Sequence, residues 1–126
     1  MTFHSKQLKL EAKHLVGALR NALPPYKSPK FLAWVKNKYP ETEIHHILGS
    51  VIGRKRTDYL VVPLMPETHR KIQKTWYKFV PVYLPTSLLL LMAYAEEVFG
   101  LEVSKPESIE ELRNLIETIY KKEKEK

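Results

Sequence analysis

The sequence predicts an α+β fold, a mainly helical single domain over residues 1–126 with a small strand–strand–helix unit at residues 43–79. Three observations lead there. Most of the chain divides into capped segments whose apolar residues recur at helical spacing. Two short segments rich in β-branched and aromatic residues flank a glycine-punctuated basic loop near the middle. A chain of 126 residues suffices for one modest core, and no linker is long enough to set off a second domain. Helices are expected over residues 5–39 before the unit and over residues 86–122 after it.

The elements follow in order. In "SKQLKLEAKHLVGALRNALPP", Leu8, Leu15, Leu19 and Leu23 fall on one helical face, Ser5 can cap the start, and Pro24-Pro25 stop it. "SPKFLAWVKNKYP" is a short second helix with Ser28 as N-cap and Pro29 at the first helical position, turning Phe31, Leu32 and Val35 inward. "TEIHHIL" and "DYLVVPL" read as two strands around "GSVIGRKRT". "PETHRKIQKTWYKF" returns to helical spacing, with Ile72, Trp76 and Phe79 on one side and His69 and Gln73 one turn apart. Pro66 opens that helix and Pro81 lies just past its expected end. "TSLLLLMAYAEEVFG" is a further helix closed by Gly100. The last runs through "SKPESIEELRNLIETIYKKEKEK", where Ser104 to Glu107 and Ser108 to Glu111 both fit a capping box. Ile109, Leu112, Leu115, Ile116 and Ile119 form its apolar stripe, and the terminal "KKEKEK" is expected to fray.

Composition narrows the function classes. There is no cysteine, which rules out a disulfide scaffold and a thiolate metal site and suits a cytoplasmic protein. No apolar leader opens the chain. "VPVYLPTSLLLLMAY" is divided by two prolines and Thr86-Ser87, so a buried core helix is expected there rather than a membrane span. The net charge of +7 is unevenly spread. Residues 1–80 hold 15 Lys and Arg against 5 Asp and Glu, whereas residues 81–126 hold 6 against 9. Basic character therefore sits in the front two-thirds, where a polyanion would dock. A merely solubilising excess is the alternative. Nothing in the sequence specifies an oligomeric state.

The stretch that carries chemistry is "EIHHIL", then "GRKRTDYLVVPL", then "PETHRKIQ". This order resembles the HNH (His-Me finger, ββα-metal) endonucleases. The His-His pair ahead of a helix opening Pro-x-x-His is similar to the colicin DNase pattern, and "GRKRTDYLVVPL" resembles a phage and prophage HNH group. The resemblance covers residues 43–78, and the flanking helices match no family pattern. It implies a ββα-metal motif and a metal-dependent nuclease acting on DNA, with RNA an open alternative and no membrane.

Within that resemblance, His46 is implied as general base, and His45 and His69 as metal ligands. Adjacent strand residues face opposite ways, so His45 and His46 share a site only if the strand bends or ends there, and Gly49 shortly afterwards allows such a bend. Residues i and i+4 share a helical face, so position 73 can reach the same ion. Gln73 stands there where the colicin pattern has a histidine. Its amide oxygen suits Mg2+ or Mn2+ better than Zn2+, which stays a further candidate. The usual middle Asn is absent from the second strand. Asp58 is the nearest polar residue, expected to orient His46 or fix the loop; a turn Asp capping a strand is the alternative. Met65 replaces a cysteine of the phage group, so no zinc knuckle is expected there. Arg54, Lys55 and Arg56 in the loop are candidate phosphate contacts, extended by Arg70 and Lys74 on the helix. Trp76 and Tyr77 are expected as core and rim rather than as base-stacking platforms.

The residue types suit the reaction. Cleaving a phosphodiester near neutral pH needs a base for the attacking water and positive charge beside the leaving oxygen. Histidine titrates close to that pH, and neutral imidazoles can hold a divalent cation. The chief alternative is a catalytically inactive HNH-like scaffold that binds nucleic acid or a protein partner. A helical interaction module using "SLLLLMAYAEEVFG" as a dimer surface is a third reading.

Overall fold

The computed structural model describes residues 12–49 and 56–125. Among the described residues five α-helices pack with one antiparallel strand pair: α1 (Ala12–Ala22), α2 (Pro29–Lys38), β1 (Glu43–His46), β2 (Val61–Leu64), α3 (Pro66–Ile72), α4 (Val80–Phe99) and α5 (Ile109–Lys124). A 3-10 segment, Gln73–Phe79, joins α3 to α4. The fold is thus α+β and mainly helical, with a two-stranded sheet. Residues 5–11, including Ser5 and Leu8, lie outside the described residues, as do Arg54 and Lys55.

Local sequence explains three of the helix ends. Ser28 Oγ accepts the Phe31 N–H, and Pro29, which lacks an N–H, occupies the first turn of α2, where that donor would be unpaired anyway. Gly100 ends α4 in the left-handed region at φ 67, with its N–H on Glu96 O and that of Leu101 on Ala95 O. Ser108 caps α5 by accepting the Glu111 N–H. Glu111 turns its own carboxylate to the Glu107 N–H, so the reciprocal half of the capping box is displaced by one residue. The Ser104 start does not occur, since residues 101–107 are irregular.

Three expected boundaries are corrected. The strands are shorter than "TEIHHIL" and "DYLVVPL", because Ile47 and Leu48 enter a turn and Asp58 and Tyr59 form another. The helix expected over 66–79 is α-helical only to Ile72; non-helical backbone at Thr75 (φ -121, ψ 27) breaks the following 3-10 segment. Pro81 does not mark the end of a helix but stands in the first turn of α4, which therefore starts at Val80 rather than at Thr86. The charged tail is corrected as well. Helix α5 continues to Lys124, and Glu123 inside "KKEKEK" is buried.

The core is contiguous. Leu15 and Leu19 of α1, Phe31 and Val35 of α2, Leu84, Leu88, Leu91 and Tyr94 of α4, and Leu112, Ile116 and Ile119 of α5 all take part. Leu32 is half-buried rather than fully inward. The run Pro66–Phe99 is long and apolar enough to cross a membrane by length and composition, and α4 spends its Leu84–Leu88–Leu91–Ala95 face on this core. Strand β2 contributes Val61, Val62 and Leu64, and α4 packs against it. Strand β1 pairs with it in the register His45 to Val62 and His46 to Val61, and packs against α2 and α3. The sheet is thereby fixed from behind, and β1 and α3 present their histidines to one cavity.

Candidate functional site

A cavity of about 480 Å3 is lined by His45, His46, Gly49, Arg56, His69, Gln73 and Trp76, with Ile44 at its edge. Two neighbouring strand residues reach it because β1 stops at His46. The Gly49 N–H closes a turn onto His46 O at 3.0 Å, and Gly49 itself takes φ 84, a region only glycine enters without strain. A Cβ there would lie 2.6 Å from Trp76 Cζ2. Trp76 is therefore packed against the turn backbone on one side, and Arg20 of α1 stacks over it at 5.1 Å while bonding Leu48 O. That makes Trp76 a clamp on the turn.

His46 and Asp58 form a close pair. Asp58 Oδ1 lies 2.9 Å from His46 Nε2. A carboxylate only accepts, so Nε2 carries the proton and Nδ1 keeps the lone pair. Burial lowers the His46 pKa below its usual 6.5; Asp58 opposes this through its hydrogen bond, and the Arg56 cation reinforces it. The ring is held neutral at pH 7. Asp58 is only 5% exposed and is oriented by the Ser28 N–H, which donates to Oδ2 at 2.8 Å. Its own N–H donates to Tyr26 O.

His45 and His69 face each other edge to face, with ring centroids 5.1 Å apart. His45 is buried, and its Nε2 has no hydrogen-bond partner among the described residues. Burial, then the cationic forms of His69 and His46 and the Arg56 guanidinium, lower its pKa to about 4. His69 Nδ1 donates to Glu43 Oε1 at 2.9 Å, which leaves Nε2 as its lone-pair nitrogen. A buried nitrogen without a partner, beside a second imidazole oriented by a carboxylate, is the donor chemistry a divalent cation uses. Gln73, whose side chain carries an amide oxygen, lines the same cavity. Among the described residues no three His, Cys, Asp or Glu side chains assemble as a metal-binding group, so a cation here would have two imidazoles, the amide and water.

Of the candidate cations, Arg56 lines the cavity and anchors itself by donating to Gly49 O at 2.7 Å. Arg70 and Lys74 are exposed and lie outside the cavity wall. Sequence reasoning missed Glu43, Ser28 as a partner of Asp58, and Glu123. For Glu123 a signal existed: Leu112, Ile116, Ile119 and position 123 continue one helical stripe, so a carboxylate there announces a buried polar partner.

No protein-family model, curated protein or solved structure matches this chain.

Proposed function

We propose that this chain is a metal-dependent endonuclease of the HNH type, with a ββα-metal motif at residues 43–79, that hydrolyses phosphodiester bonds in DNA with low sequence specificity. One observation carries the reading: three imidazoles, from the end of β1 and from α3, line a single cavity together with Arg56 and Gln73. In this reading His46 takes the proton of the attacking water at Nδ1, while Asp58 holds Nε2–H and stabilises the imidazolium that forms. Arg56, fixed by Gly49 O, offers its remaining N–H groups to the phosphate oxygens. A divalent cation held by His45 and His69, with Gln73 beside them, would supply positive charge next to the scissile phosphate and the departing oxygen. Mg2+ or Mn2+ fits the amide-containing set best, and Zn2+ is the alternative.

Supercoiled plasmid incubated with Mg2+ or Mn2+ tests it. Nicking is expected with the native chain and is expected to fall roughly 10²–10⁴-fold in His46→Ala. Cutting that persists undiminished in that variant overturns the reading.

The second reading, a catalytically inactive HNH-like scaffold that binds nucleic acid, is favoured by Gln73, which leaves only two imidazoles for a metal. Isothermal titration with Mn2+ and Zn2+ separates the two, because an inactive scaffold shows no stoichiometric metal binding while still binding DNA with a steep salt dependence.

A further inference from the structure

Glu123 stands in the last turn of α5, where the surrounding Lys121, Lys124 and Glu125 are exposed, yet it is 8% exposed itself. Three hydroxyls donate to its two oxygens: Ser28 at 2.6 Å, Tyr59 and Tyr94. Burial and these contacts push both phenols far above their usual pKa, so they stay protonated donors. Two of the three lead to the same place. Ser28 also gives its N–H to Asp58, and Tyr59 is the next residue after Asp58 in the chain. Ser28 is further pinned by accepting the Phe31 N–H at the start of α2. The Asp58 carboxylate is therefore oriented by a chain of contacts that ends on α5, ninety-five residues from Ser28 in sequence.

We propose that Glu123 is a positioning residue for the His46–Asp58 pair, acting through Ser28 and Tyr59 to fix the Asp58 carboxylate against the imidazole. The proposal deepens the nuclease reading, since it takes that pair as the base. A purely stabilising role explains the cluster poorly. An apolar residue at 123 would extend the stripe of Leu112, Ile116 and Ile119, and buried polar groups gain little net stability over well-packed apolar ones. A fully satisfied polar network instead specifies one geometry.

The test compares the native chain with Glu123→Gln, Ser28→Ala and Tyr94→Phe, each checked for folding by circular dichroism. Ring nitrogen spectra of His46, recorded with chelator at one fixed pH above 7, report which nitrogen holds the proton. The native chain and Tyr94→Phe, which keeps the Ser28–Glu123 contact, are expected to show a single Nε2–H form. Glu123→Gln and Ser28→Ala are expected to show mixed forms, with nicking kcat down about 10-fold and KM unchanged. If Glu123→Gln does not fold, Ser28→Ala, which removes a single oxygen, decides. Folded variants that keep the native ring signature overturn the proposal. A native chain that cuts no plasmid, but whose ring signature responds to these substitutions, supports the positioning and removes the nuclease reading alone.

Discussion

One wall of the cavity is His46, backed by Asp58, which is tied through Ser28 to Glu123, and every link in that chain is a hydrogen bond of 2.6 to 2.9 Å between buried or half-buried groups. A second wall is the pair of His45 and His69: among the described residues His45 Nε2 has no hydrogen-bond partner, and the support behind His69 is the exposed Glu43. Behind His46 the first wall is saturated, and it draws, beyond β1 itself, on the Ser28 cap of α2, the β1–β2 connection, α4 and α5. The second draws on β1 and α3, with Gln73 of the 3-10 segment beside them. A saturated wall suits a group whose orientation must not vary, such as a base. An open wall suits groups that complete their bonding with a ligand.

Removing the outermost group from each wall gives the largest contrast. Glu123→Ala would leave three buried hydroxyls without their acceptor, and urea unfolding should register a loss of about 3 kcal/mol or more. Glu43→Ala should cost no more than about 0.5 kcal/mol, since that pair is solvent-exposed on the carboxylate side. Equal losses would abolish the distinction between the walls.

Acid probes the open wall. The folded, chelator-treated chain keeps His45 neutral down to about pH 4, whereas an unfolded chain protonates it near 6.5. Between those values the unfolded state binds more protons. Stability is therefore full above pH 6.5 and declines on acidification towards pH 4, by on the order of 3 kcal/mol from this group. His46, also lowered, adds to the decline in the same direction. In His45→Gln the pH slope measured by thermal melts should flatten. Mn2+ at 100 times its Kd should raise stability at pH 7 by about 2.7 kcal/mol, and His45→Ala or His69→Ala should remove that gain.

The turn between the walls gives the smallest contrast. Gly49→Ala forces a side chain into φ 84 and against Trp76, and should cost about 2–3 kcal/mol in denaturant unfolding. Gly100→Ala, at φ 67 but in open space, should cost about 1 kcal/mol. Matching values would mean that Trp76 does not clamp the turn.

The amino-acid sequence alone determined the helix faces, the caps at Ser28 and Ser108, the stop at Gly100 and the histidine-bearing segments. Each depends on groups within about four residues of one another, the range over which helix and turn hydrogen bonds operate. It also showed His69 and Gln73 as neighbours, because one helical turn separates them. Tertiary structure alone decided that α4 begins at Val80, since packing of the Val80 and Leu84 face outweighs Pro85 inside the helix, while Pro81 is tolerated in its first turn. It also decided that Asp58 meets His46 rather than merely capping a turn, and that a glutamate in a lysine-rich tail is buried. Those contacts join residues 12 to 95 positions apart, and nothing local to either partner encodes the other. The Glu123 contacts form because burying the α5 stripe brings its carboxylate to three hydroxyls.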